Sequence, residues 1–262
     1  MPLAVLTCLA ALLIAWIIWQ PRWEARRRQR QQATPFPPAW RAIIRRRVPL
    51  AARLPADLQI QLRRHVQVFL AQTPILGCQG QEIDDEVRVT IAAQACLLLL
   101  NRADAHFEGL RQVLVYPSAF LVEVEHRDEA GVVQAGRDWR AGESWQEGQV
   151  VLSWEDVLEG AAEPHDGWNV VIHEFAHQLD ARTGVSEGPH WHRVMEPAFE
   201  RLGADVDRGV DPFLDPYGAT DPVEFFAVVT EAFFEQGAEL AEAHPALFDE
   251  FKALYGVDTR GW

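Results

Sequence analysis

The segment Val170-Val171-Ile172-His173-Glu174-Phe175-Ala176-His177-Gln178-Leu179 constrains this chain more than any other stretch of it. Its helical pattern is apolar almost all round, and Glu174 is its only acidic or basic residue apart from the two histidines. Such a helix has to be enclosed by the rest of a domain. Residues four apart share one helix face, so the two imidazoles start from Cβ atoms about 5–6 Å apart. Rings placed that way can reach one tetrahedral zinc ion at about 2.0–2.1 Å. Glu174, next to the first histidine, points beside such an ion rather than at it. From there it can take a proton from a metal-activated water and hand it to a leaving amine. The expected chemistry is peptide-bond hydrolysis, with His173 and His177 on the metal and Glu174 as base.

A catalytic zinc normally takes three protein ligands and a water. Asp180, His190, His192, Glu224 and Glu231 are the candidates for the third. Asp180 is two turns past His173 and better placed to orient an imidazole N–H. His190 and His192 lie in a loop, Gly188-Pro189-His190-Trp191-His192, at no spacing that singles them out. Glu224 and Glu231 both interrupt the apolar run Glu224-Phe225-Phe226-Ala227-Val228-Val229-Thr230-Glu231, where a carboxylate is costly unless paired or metal-bound.

Around this core the chain reads as helix, then strands, then helices. Helical periodicity marks residues 54–70, 86–101, 168–179, 222–236 and 245–255; β-branched and aromatic runs mark 112–125 and 149–154 as strands. That order suggests an α+β domain with a small sheet beside a helical half. Three Asp-Pro steps, at Asp211, Asp215 and Asp221, read as a turn-rich loop rather than a calcium loop. There is no phosphate-binding loop, no dinucleotide fingerprint and no nucleophile elbow at Ser153. Cys8, Cys78 and Cys96 have no disulfide-framework or zinc-ribbon spacing.

The charge is lopsided. Of the 24 basic and 38 acidic residues, 12 basic and 2 acidic ones lie before His65, which leaves an acidic body behind an Arg-rich front. An acidic body argues against direct nucleic-acid binding. The first 20 residues are apolar up to Trp19, and Arg22, Arg26, Arg27, Arg28 and Arg30 follow. The positive-inside rule then predicts a single-pass anchor in the inner membrane with the catalytic domain facing the cytoplasm. The expected organisation is a transmembrane anchor at 1–20, a basic and Pro-rich linker at 21–38, and a metallopeptidase domain at 39–262.

Four runs carry a resemblance: Gly142-Glu143-Ser144-Trp145, Val150-Val151-Leu152-Ser153-Trp154, HEFAHQLD from His173, and Tyr217-Gly218-Ala219-Thr220-Asp221-Pro222-Val223-Glu224-Phe225-Phe226-Ala227-Val228. Together they resemble the Mlc titration factor A family of zinc peptidases, whose metal-site pattern is similar to the catalytic domain of anthrax lethal factor. The resemblance implies a zincin-like domain of the gluzincin type, with His173, His177 and Glu224 on Zn2+ and Glu174 as base. It also implies that Tyr217 supports the oxyanion. It further implies aminopeptidase-like action on short peptide substrates and binding of a sugar-responsive transcriptional repressor. A regulatory protein that sequesters such a repressor at the membrane is the alternative expectation.

Overall fold

The computed structural model describes residues 34–102, 106–118, 123–127, 133–137, 148–183 and 191–262, together with Trp16, Trp19, Trp23, Arg26, Arg27, Arg28, Arg30 and Gln31; for 123–127, 133–137, 181–183 and 191–192 only the backbone is described. From Pro38 onward three helices follow one another: α1 (Pro38–Arg47), the short α2 (Pro49–Arg53) and α3 (Ala56–Gln72). Prolines open the first two, where a missing N–H leaves no bond unmade. In α3, Leu58, Leu62, Val66 and Phe69 form the buried stripe, the three-to-four spacing of a helix packed on one side. Strand β1 (Ile75–Gly77) leads into α4 (Asp85–Ala95), whose cap Asp84 accepts from the Val87 N–H at 2.9 Å. A 3-10 turn over Cys96–Leu99 finishes that helix.

The small sheet comprises β1, β2 (Gln112–Tyr116) and β5 (Gln149–Ser153) in the order β1-β2-β5, and both pairings are parallel. Parallel neighbours need a crossover between them; α4 supplies the first, and the second contains an antiparallel hairpin of β3 (Glu123–Arg127) and β4 (Val133–Arg137). Val113, Val115, Val150 and Leu152 turn inwards and are essentially inaccessible, while Gln112, Leu114, Tyr116, Gln149 and Val151 between them are only partly covered, the alternation strand periodicity requires. Pro117 follows β2 directly and cannot donate to a ladder, so the apolar stretch 112–125 is divided rather than continuous.

The remaining helices form the larger part of the domain: α5 (Trp154–Ala162), α6 (Val170–Thr183), α7 (Glu196–Asp207), α8 (Pro222–Glu235), α9 (Gly237–Ala243) and α10 (Pro245–Tyr255). Every residue of α8 from Phe225 to Glu235 is buried, which makes it the central helix of the domain. Phe225, Phe226, Phe233 and Phe234 are almost wholly enclosed. At about 150–250 Å² each, they supply much of the apolar area that holds α8 in place. Helix α6 lies against α8 and also touches β5 and α4. From behind, Phe175 of α6 packs edge-on to Phe69 and Phe107, with ring centroids 5.7 and 4.6 Å away.

The fold is thus mostly helical with a small three-stranded sheet. The single-pass inner-membrane placement expected from residues 1–20 is corrected: among the described residues no helix is long and apolar enough to cross a membrane. Residues 1–20 themselves, Trp16 and Trp19 apart, lie outside the described residues. An apolar run of about 18 residues is at the short end for a hydrocarbon core of ~30 Å, and its composition alone does not carry a membrane assignment.

Candidate metal centre

Two helices bring together three side chains that could hold a metal ion. On α6 the cap is Asn169, whose Oδ1 accepts from the Ile172 N–H at 3.1 Å. One turn in, His173 and His177 stand with ring centroids 4.7 Å apart and planes crossed at 77°. On α8 the cap is Asp221, which accepts from the N–H groups of Val223 and Glu224 at 2.8 and 3.0 Å, with Pro222 at the first helical position. That places Glu224 in the first turn, aimed at the histidines. Its Oε2 lies 2.9 Å from His173 Nε2 and 3.3 Å from His177 Nε2. The ligand atoms of the three residues lie within 4.8 Å of one another, and they form the one such group among the described residues.

This donor set fits a metal. Two nitrogens and a carboxylate oxygen match a catalytic zinc site, and in tetrahedral geometry neighbouring ligand atoms sit about 3.4 Å apart. The three side chains also polarise one another. Burial opposes charge on Glu224, but the hydrogen bonds from His173 and His177 outweigh it and hold its carboxyl down to about 2. Burial also opposes charge on His173, yet Glu231 and Glu224 on either side of the ring raise its pKa well above the ordinary histidine value. For His177, at 1 % exposure, burial prevails and the pKa is lowered. Carboxylates and burial therefore pull the two imidazoles in opposite directions.

Glu174 is buried on the turn between the histidines, and its charge is felt at both His173 and Tyr217. Tyr217 sits in a 3-10 turn, Pro216–Ala219, capped by Asp215, which accepts from the Tyr217 N–H at 2.8 Å. The ring is half exposed, with its centroid 6.0 Å from that of His173. Burial and the neighbouring Glu224 charge push its phenol up to about 12, so at neutral pH it is an O–H donor.

The other candidates separate. Glu231, two turns beyond Glu224, binds the opposite side of the His173 ring, with Oε2 2.9 Å from Nδ1. Asp180 is buried, and its charge acts on His177. His190 and the side chain of His192 lie outside the described residues. Asn169 and Glu235, both against this site, were not anticipated from the sequence. The available signals were an Asn directly before an apolar run, which is a helix-cap pattern, and a third carboxylate in the run of α8.

A helix with two histidines a turn apart, a glutamate between them and a carboxylate from a second helix matches the pattern of a metallopeptidase centre. Residues 22–256 match the family described as glucose-regulated metallo-peptidase M90, and the chain belongs to that family. Relatives extend over nearly the whole chain. An uncharacterized protein of Synechocystis sp., slr2042, is 36 % identical over 98 % of both chains. Mlc titration factor A of Cronobacter sakazakii is 32 % identical over 90 % of this chain and 92 % of its own. The Salmonella agona protein of the same name is 33 % identical over 80 % and 83 %. The resemblance to the Mlc titration factor A family therefore holds for most of the chain.

Proposed function

We propose that this protein is a zinc-dependent peptidase with His173, His177 and Glu224 as the metal ligands. The observation that carries this reading is the convergence of their three ligand atoms within 4.8 Å, with Glu174 on the intervening turn. Zinc, when bound, supplies a Lewis acid and a water acidic enough to be deprotonated near neutral pH. Glu174 would serve as the base, taking a proton from the attacking water and passing it to the departing amine. Tyr217 donates its O–H to the carbonyl oxygen as charge develops there. The half-exposed tyrosine and the partly accessible edges of His173 and Glu224 leave this face of the site open to a substrate. We extend the proposal to aminopeptidase-like action on short peptides, on the strength of the family resemblance.

A second reading, favoured by the names of the relatives, is that the chain binds a transcriptional repressor of the Mlc type. The two roles are separable by one variant. In the full chain, zinc content and hydrolysis of short peptides are measured for wild type and Glu174→Gln. One zinc per chain, with hydrolysis reduced about 10²–10⁴-fold by the loss of the base, supports the peptidase. Hydrolysis that survives the substitution, or a wild type that takes up no zinc, removes it. Repressor binding unchanged in Glu174→Gln establishes the second role beside the first.

A further inference from the structure

Behind the two histidines lies a buried polar group with no part in the chemistry just described. Asn169 is 3 % exposed, and each of its polar side-chain atoms is engaged. Its Oδ1 caps α6; its Nδ2 donates to Gln94 Oε1 and to Glu235 Oε1, each at 2.9 Å. Its backbone N–H donates to Glu231 Oε1 at 2.7 Å, and the other oxygen of that carboxylate meets His173 Nδ1 at 2.9 Å. Gln94, Glu231 and Glu235 are as deeply buried as Asn169. Polar side chains at this depth are a weak route to stability, because apolar residues of the same volume would pack as well without the desolvation cost. Their geometry is better explained by what it does to one imidazole.

We propose that Glu231 is a positioning residue for His173 and that Asn169, held by Gln94 and Glu235, fixes Glu231 in that task. The inference rests on the reading that His173 ligates the metal through Nε2. An imidazole that donates Nδ1–H to a carboxylate presents Nε2 as its ligating nitrogen, and the partner fixes both tautomer and ring orientation. Here Nε2 is the nitrogen that faces Glu224. The Asn169 N–H occupies the second oxygen of Glu231, so the carboxylate is held from both sides and cannot swing round to the ion. This separates it from Glu224, which has the same residue type on the same helix. The orientation of the ring is then set jointly by α4 through Gln94, by α6 through Asn169, and by α8 through Glu231 and Glu235.

The test uses the full chain as wild type, Glu231→Gln and Asn169→Ser. Two donors face Glu231, and glutamine has only one oxygen to accept them, so one of the two bonds must be lost. The readouts are zinc content, the zinc dissociation constant by chelator competition, and the Nδ1–H resonance of His173 in ¹H–¹⁵N spectra of the zinc-loaded protein. Circular dichroism reports whether each variant is folded. Glu231→Gln is expected to keep one zinc per chain but to bind it about 10–100-fold more weakly, with that resonance shifted or lost. Asn169→Ser is expected to weaken zinc binding in the same direction and by less. Unchanged affinity in a folded variant overturns the proposal, and so does complete loss of zinc in folded Glu231→Gln, which would make Glu231 a ligand. If Glu231→Gln does not fold, Asn169→Ser decides on the same two grounds. A wild type without zinc refutes the metal reading itself, an outcome distinct from a zinc-loaded wild type whose variants bind equally well.

Discussion

Helix α8 carries three glutamates along one side of the site, and its two ends treat them in opposite ways. At the mouth, Glu224 stands in the first turn with two imidazoles against it, and its carboxyl is held down to about 2. At the floor, Glu231 and Glu235 are almost wholly enclosed. Burial raises the pKa of Glu231 against the pull of His173, and it pushes Glu235 up to about 9 despite the Asn169 hydrogen bond. One residue type on one helix thus serves as an anionic candidate ligand, an acceptor for a ring N–H, and a neutral acid. The difference lies in the partners: two imidazoles and open space at one end, amides, one side of the His173 ring and tight enclosure at the other.

The comparison breaks most sharply at the mouth. Glu224→Gln is expected to remove stoichiometric zinc and to lower peptide hydrolysis by about a thousandfold or more, because a catalytic site with two ligands no longer holds its ion. Metal analysis beside a kinetic assay checks this, and a variant that keeps both zinc and activity would erase the distinction between the two ends. Next in size, Tyr217→Phe should lower kcat about a hundredfold with zinc content unchanged, the effect of losing one oxyanion donor. Equal loss in KM alone would instead make Tyr217 a substrate-binding group.

Zinc uptake sharpens the comparison further. Glu224 and Glu231 favour the protonated form of His173, so a metal that binds through Nε2 would have to displace the proton there. About one proton released per zinc at neutral pH, and an affinity that falls about tenfold per pH unit on acidification, are expected. Calorimetry in two buffers of different ionisation heat measures both. The floor shows in stability rather than in activity. Glu235 has a folded pKa of about 9 against an ordinary 4.5. Between those values the unfolded chain gives up a proton that the folded one keeps, so this group's contribution to stability declines as pH rises through that window. The slope is at most about 1.4 kcal/mol per pH unit. Denaturant unfolding from pH 5 to 9 should show a flatter profile for Glu235→Gln than for wild type.

The parts of the molecule built by strong periodicity were legible. The apolar faces around Leu62 and Val66, the enclosed helix at His173, and the uninterrupted run after Glu224 each dictate one element, with ends shifted by a few residues. Elements with little to bury were missed. Helix α1 buries only Ile43 and Ile44 among its arginines, and α7 buries only Leu202. The parallel course of the sheet was equally invisible, because β1 has three residues and strand direction leaves no trace in side-chain alternation. At the site, residues four apart on one helix were readable, and so was a carboxylate misplaced in an apolar run. Which of Glu224 and Glu231 would face both imidazoles was not readable from the apolar run, since both satisfy the same pattern; Glu231 meets the Asn169 N–H, which belongs to another helix.

The caps described above also set an order of events for the growing molecule. His173 and Glu224 are 51 residues apart in the chain, yet the helix that carries each is started by contacts within a few residues: Asn169 onto Ile172, and Asp221 onto Val223 and Glu224. Each helix start can therefore take shape early and alone, on the sub-microsecond to microsecond scale of local structure. What remains for later is the meeting of α6 with α8, a long-range encounter that is slow because the chain between them must close. In that chronology the ion is a latecomer, a clasp that fits only after the two halves have found each other.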